Sequence, residues 1–221
     1  MPKIQAATNA EQREHTKHAI LESFGQLLYQ QGLTGLTMTH VARNAGIGRT
    51  AVYNYFADMG ELLVAYALDE TERFVADLER DLAETENPID QLGTYVRAQL
   101  EDMSRRHLPP GEAMKTVLAP EDFAKLGKHV GKLRGVLVGI LERAMSEGYL
   151  PRTDPAQLTQ LVHGSLASTA DRSHGAESTR AQKSRMDATV LFIQRGLGAQ
   201  FDQNLRPVQL PSTRPVLSVV S

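Results

Sequence analysis

The run Leu36-Thr37-Met38-Thr39-His40-Val41-Ala42-Arg43-Asn44-Ala45-Gly46-Ile47-Gly48-Arg49-Thr50-Ala51-Val52-Tyr53-Asn54-Tyr55-Phe56 decides how this chain folds. It reads as two short helices joined by a tight turn. Thr37 is a good N-cap for the first, because a side-chain oxygen there satisfies a free N–H of the opening turn. That helix runs to about Asn44, Gly46 turns the chain, and Gly48 opens a second helix to about Tyr55. Val41, Ala42 and Ala45 give the first helix an apolar patch. Val52 and Phe56, four residues apart and therefore on one face, give the second its own. Ile47 plugs the gap, and the small Ala42 and Ala45 let the helices cross closely. Arg49, Thr50, Tyr53 and Asn54 are left on the solvent side of the second helix.

Two readings fit these residues. One is a plain helical hairpin inside a bundle, with an ordinary polar surface. The other is a helix–turn–helix whose second helix enters the DNA major groove. Such a helix needs apolar anchors behind it and donors near its N-terminal end that reach base edges. Arg49 is suited to fork onto a guanine and Asn54 to pair with an adenine. The hydroxyls of Thr37, Thr39, Tyr53 and Tyr55 suit phosphate contacts.

The whole chain reads as all-α, with about nine helices. Upstream, Ile20, Phe24, Leu27 and Leu28 form the i, i+4, i+7, i+8 stripe of an amphipathic helix over about 11–31, ended by Gly32. Downstream, helices are expected over about 59–84, 89–106, 112–118, 120–148, 155–172 and 179–200. Asn87-Pro88 and Asp154-Pro155 are cap-plus-proline starts. Leu108-Pro109-Pro110-Gly111 is the clearest break. The segment 202–221 holds three of the ten prolines and reads as an extended or disordered tail.

The opening stretch resembles the DNA-binding domain of the TetR (tetracycline-repressor-like) family of bacterial one-component regulators. The resemblance is carried by Thr37, Val41, Ala42, Ala45, Gly46, Ile47, Gly48, Val52, Tyr53, Tyr55 and Phe56, by the upstream stripe, and by Phe56-x-Asp58-x-x-Glu61-Leu62 downstream. It covers about residues 12–65. It implies a DNA-binding domain over 1–57, made of three helices, and a ligand-binding and dimerisation domain over 58–201. One departure matters: where the family has a phosphate-contacting lysine at the start of the fourth helix, this chain has Met59. Gly48 stands where a serine is common, and its exposed backbone N–H groups can still meet phosphate.

The same resemblance implies a homodimer formed through the last two helices, a roughly palindromic operator, and a small-molecule effector held among the middle helices. A symmetric dimer must present its recognition helices about 34–36 Å apart. An effector acts by preferring one spacing over another. Leu158, Leu161, Val162, Ser165, Leu166 and Thr169, with Met186, Thr189, Val190, Ile193 and Leu197, follow helical spacing and fit a dimer seam; the alternative is that they bury those faces within one chain. Candidate pocket residues are Met103, His107, Met114, Phe123, Leu126, Val130 and His163. Gly127, Gly131, Gly135 and Gly139 recur every four residues on one helix, each costing about 0.8–1 kcal/mol against alanine. Close packing against a neighbouring helix explains them, or else a groove for a ligand.

Composition narrows the function. There is no Cys among the 221 residues, which removes disulfides, thiolate metal sites and cysteine nucleophiles. No metalloprotease helix motif, phosphate loop or nucleophile elbow is present, so neither an enzyme nor a cofactor or metal is expected. His15 and His18 with Glu14 read as a solvated face rather than a metal site. No apolar run is long enough to span a bilayer, so no membrane partner is expected and a cytoplasmic location is the default. The net charge of −2 argues against nucleic acid until it is divided. Residues 1–57 carry five Lys or Arg against three Glu, a net of +2, and the remainder carries −4. The expectation is a DNA-binding regulator, most simply a ligand-responsive repressor, with a shallow salt dependence. An effector-independent DNA-binding adaptor of the same fold is the alternative.

Overall fold

The structure is a computed structural model that describes residues 2–105, 118–171 and 178–211. The described residues contain seven α-helices, one 3-10 turn and a two-stranded hairpin. The expected short helix over 112–118 lies almost wholly outside them. They divide into two compact units: 2–74 with 105 and 118–131, and 75–104 with 132–171 and 178–211.

In the first unit, α1 (Pro2–Gln31), α2 (Met38–Asn44), the 3-10 turn Val52–Asn54 and the start of α3 (Met59–Ala83) close on one core. Helix α1 begins well before Glu11, because Pro2 suits the first helical position and the following Ala, Gln and Glu residues favour helix. Its stripe is buried as expected: Ile20 and Phe24 are fully covered and Leu28 nearly so. Val41, Ala42, Val52, Phe56, Leu62 and Leu63 meet it, with Leu118 added from the segment ahead of α5 (Pro120–Ser146). The Phe24 and Tyr66 rings pack edge to face, 5.3 Å apart. Gly25 permits this approach, since a Cβ there would stand 2.7 Å from the Tyr66 ring.

Helix α3 starts on a reciprocal cap. The Asp58 carboxylate accepts from the Glu61 N–H at 2.8 Å, and the Glu61 carboxylate accepts from the Ala57 N–H at 2.6 Å. Two N–H groups that the helix leaves unpaired are thereby satisfied at once.

The second unit is built on the end of α3, α4 (Pro88–Arg105), the end of α5, α6 (Pro155–Asp171) and α7 (Thr179–Gly196). Asn87 and Asp154 cap α4 and α6 through bonds to the N–H groups of Ile89 and Ala156. Leu92, Tyr95, Val96, Leu137, Leu141, Val162, Leu166 and Ile193 form the buried interior. Helices α4 and α7 come close at Gly93, where a Cβ would lie 2.9 Å from the Gln194 amide nitrogen. That amide donates to the Ile89 carbonyl at 2.8 Å.

The chain beyond α7 is extended and paired in this unit. The described part of the tail is an ordered hairpin: β1 (Gln200–Phe201) pairs antiparallel with β2 (Pro207–Val208). The Asp202 carboxylate accepts from the N–H groups of Asn204 and Arg206, which closes the turn. Leu210 then donates its N–H to the Gly148 carbonyl at 2.8 Å, which fastens the segment to the end of α5. Residues 212–221 lie outside the described set. On α5, Gly127, Gly131, Gly135 and Gly139 are exposed, and among the described residues a Cβ at any of them would meet nothing within 4 Å.

Candidate nucleic-acid interface

The connection from α2 into the exposed turn is set by backbone bonds. Thr37 caps α2, its hydroxyl oxygen accepting from the His40 N–H at 3.3 Å. At the other end, Ile47 donates to the Ala42 carbonyl and Gly46 to the Arg43 carbonyl. This closure needs a left-handed residue, and Gly46 supplies it with φ +68°. Asn44 ties α2 back to α1 through Gln26, at 3.2 Å.

The second helix of the motif is tighter and shorter than its spacing suggested. Ala51 bonds back to Gly48, Asn54 to Ala51 and Tyr55 to Val52, all three residues apart; only Phe56 to Val52 has the four-residue step of an α-helix. A 3-10 repeat eclipses side chains three apart. Val52 and Phe56 still reach the core, at 0% and 3% exposure. Arg49, Thr50, Tyr53 and Asn54 are all exposed, Tyr53 with 48% of its surface open. Gly48 and Thr37 are exposed, while Thr39 and Tyr55 are half-buried. Among the described residues, no carboxylate pairs with Arg43 or Arg49, so both cations remain available to an external anion.

The sequence reading missed one residue here. Arg13 of α1 donates through Nη2 to the Asn54 carbonyl at 3.1 Å, and its guanidinium lies 5.1 Å from the centre of the Tyr55 ring. No local pattern links positions 41 residues apart, although an exposed arginine on the basic half was a visible signal.

The expected pocket residues that the structure describes fall in both units. His107 and Met114 lie outside the described residues, as does the side chain of Val130. Phe123 and Leu126 pack, half-buried, against the core of the first unit. Met103 and His163 belong to the second unit, and Met103 is 37% exposed. His163 has a partner the sequence did not reveal: its Nε2 is 3.0 Å from the hydroxyl of fully buried Tyr95. Burial, and next the Arg134 charge, hold the His163 pKa below its usual value. Burial pushes the Tyr95 hydroxyl upward, so it stays protonated as a donor.

The residues read as a dimer seam occupy two different faces. Leu158, Val162, Leu166, Met186, Val190, Ile193 and Leu197 are buried inside the chain's own second unit. The outward face of α6 and α7 is one helical step away. It presents Leu161 at 63% exposure and Phe192 at 69%, with Ser165, Thr169 and Thr189 beside a groove of about 740 Å³ that Gly164 and Ala188 also line. Phe192 was absent from the seam as first read, because the more regular stripe at Met186, Val190, Ile193 and Leu197 belongs to the core. Among the described residues, no helix is long and apolar enough to cross a membrane.

Residues 20–66 match the family described as bacterial regulatory proteins, tetR family. Over 58 residues the chain is 40% identical to an uncharacterized HTH-type transcriptional regulator of Haemophilus influenzae. That match covers 26% of this chain and 28% of the Haemophilus protein, so it spans under a third of that relative's length. The fold is similar to that of the regulator FadR of Bacillus subtilis, solved with stearoyl-CoA: TM-score 0.69, 16% identity, 81% of this chain and 98% of that one. It is also similar to the TetR family regulator PfmR of Thermus thermophilus: TM-score 0.64, 24% identity, 80% and 98% of the two chains.

Proposed function

We propose that this chain, which belongs through residues 20–66 to the tetR family of bacterial regulatory proteins, is a DNA-binding transcriptional repressor that acts as a homodimer. The observation that carries the reading is the division of labour on the 3-10 turn. Val52 and Phe56 fix it to the core, and Arg49, Thr50, Tyr53 and Asn54 stand exposed on it. Arg49 and Asn54 are the base-reading residues in this proposal. Thr37, Thr39, Gly48, Thr50, Tyr53 and Tyr55 hold phosphate and set the register.

The homodimer uses the outward face of α6 and α7, where Leu161 and Phe192 are exposed. A two-fold dimer then calls for a palindromic operator. A small-molecule effector is supported by the fold shared with FadR, which was solved with stearoyl-CoA. Its differential affinity for two spacings of the DNA-binding units provides the response.

The test is a gel shift at fixed salt on a selected operator. Arg49→Ala relaxes base preference at one position per half-site, and Tyr53→Phe weakens binding more uniformly. An Arg49→Ala variant with unchanged affinity and specificity would remove the turn from the interface. A melting-temperature screen against metabolites tests the effector, since a ligand that binds only the folded state raises stability by mass action. A screen in which no compound stabilises the protein or releases DNA favours the effector-independent adaptor.

A further inference from the structure

We infer that Arg13 forms a DNA-backbone phosphate site at the junction of α1 and the recognition turn, in place of the cation that Met59 does not supply. The inference rests on the DNA-binding reading above. Its starting point is an arginine held from two directions. Nη2 donates to the Asn54 carbonyl, the guanidinium stacks over Tyr55, and the side chain is still exposed.

A guanidinium carries five N–H donors in a rigid fork. The Asn54 carbonyl takes up one. That partner is neutral, so it orients the fork without cancelling its charge. Among the described residues, no carboxylate pairs with Arg13. The remaining donors therefore face an external acceptor, and a phosphate matches the fork with two parallel bonds. The Tyr55 ring 5.1 Å away and the Asn54 carbonyl both restrict the side chain in advance, which lowers the entropy lost when the anion arrives.

The start of α3 cannot serve this role. Met59 is uncharged there, and the neighbouring Asp58 and Glu61 carboxylates are engaged in their mutual cap. Arg13 reaches the recognition turn from α1, directly against Asn54. A phosphate bound at Arg13 is thus linked through a single hydrogen bond to a base-reading residue. The site anchors the backbone and, through the Asn54 carbonyl, holds the turn in register.

Full-length protein and a short random-sequence duplex test this without knowledge of the operator. Log affinity is measured against log salt for the wild type, Arg13→Gln and Arg13→Lys. Gln keeps a polar side chain but carries no charge and is two bonds shorter than Arg. Arg13→Gln is expected to reduce the slope by about 0.9 per protomer, the share of one phosphate, with an unchanged melting temperature. Arg13→Lys is expected to retain the wild-type slope. An unchanged slope in Arg13→Gln overturns the site. A lower melting temperature with no change of slope assigns Arg13 a purely structural role and also overturns it. Failure of the DNA-binding reading itself would be seen separately, as a wild type that binds no duplex at any salt.

Discussion

The Tyr95 hydroxyl lies 3.0 Å from His163 Nε2 and 3.5 Å from the Leu133 carbonyl. Two proton arrangements satisfy the contacts: Tyr95 donates to Nε2 and the imidazole proton sits on Nδ1, or Tyr95 donates to Leu133 and Nε2–H donates to the Tyr95 oxygen. In both His163 is neutral, in accord with a pKa held down by burial and next by the Arg134 charge.

The pair makes stability depend on pH with a definite sign. The unfolded chain takes up the His163 proton near pH 6.5, whereas the folded protein resists it until lower pH. The contribution is therefore full above about pH 6.5 and declines as pH falls from there toward the lower folded value. Thermal melts of the wild type should show this decline, and His163→Gln should flatten it. A variant that melts with the wild-type pH profile would assign the dependence to other groups. Tyr95→Phe, which takes away the hydrogen-bond partner of the half-buried His163 Nε2, should cost about 1–3 kcal/mol at neutral pH.

Glycines in two helices should respond to alanine with opposite signs. At Gly93 a new Cβ would lie 2.9 Å from the Gln194 amide and 3.3 Å from Val190. The amide must shift and strain its bond to the Ile89 carbonyl, so Gly93→Ala should destabilise by about 1–3 kcal/mol. At Gly131 and Gly135 a Cβ meets nothing within 4 Å, and only helix propensity changes. Each should gain about 0.8–1 kcal/mol on changing to alanine. Urea denaturation of the single variants measures both. A loss of stability at Gly131→Ala would mean that the stripe is covered.

Leu205 offers a separate test in the terminal hairpin. It is 62% exposed and holds φ +59°, a conformation that β-carbon sterics oppose in any residue but glycine. The cost is about 1–2 kcal/mol for a leucine, and asparagine tolerates the region better. Leu205→Asn should therefore raise stability by up to about 1 kcal/mol in denaturant melts, with no change in DNA binding. A lower stability would mean that the exposed leucine makes a contact that matters more than its backbone.

The parts of this fold that were legible in the sequence are those set by neighbours three or four residues apart. The α1 stripe, the Thr37 cap and the Asn87-Pro88 and Asp154-Pro155 starts all fall where spacing put them. The exposed set on the recognition turn was readable for the same reason. Its 3-10 geometry was not, since placing Val52 and Phe56 on one face suits an α-helix equally well. Arg13 with Asn54, and Tyr95 with His163, are pairs 41 and 68 residues apart, and only the tertiary fold brings them together. The hairpin escaped notice because its two strands are two residues each, too short for alternation to register. On α6 and α7 the spacing took in two faces: Val162, Leu166, Val190 and Ile193 turn inward, and Leu161 turns outward.

That inward stripe gives the last prediction its contrast. Leu161 and Phe192 expose 63% and 69% of their surface on one side of α6 and α7, around a groove lined largely by small and uncharged residues. In an isolated chain, a charge at either position would meet only solvent and cost little, as surface substitutions generally do. In a homodimer joined on this face, the same charge would be buried without a partner. Leu161→Glu with Phe192→Glu should thus convert a dimer to a monomer in sedimentation, while the monomer keeps its helical circular dichroism. Operator affinity should fall with it, because one half-site alone remains to be read. Val162→Ala, at 1% exposure, should behave in the opposite way. It opens a cavity in the core and lowers the melting temperature without a direct effect on assembly. Wild-type sedimentation as a monomer at concentrations that saturate DNA would refute the interface, and so would a double Glu variant that remains dimeric.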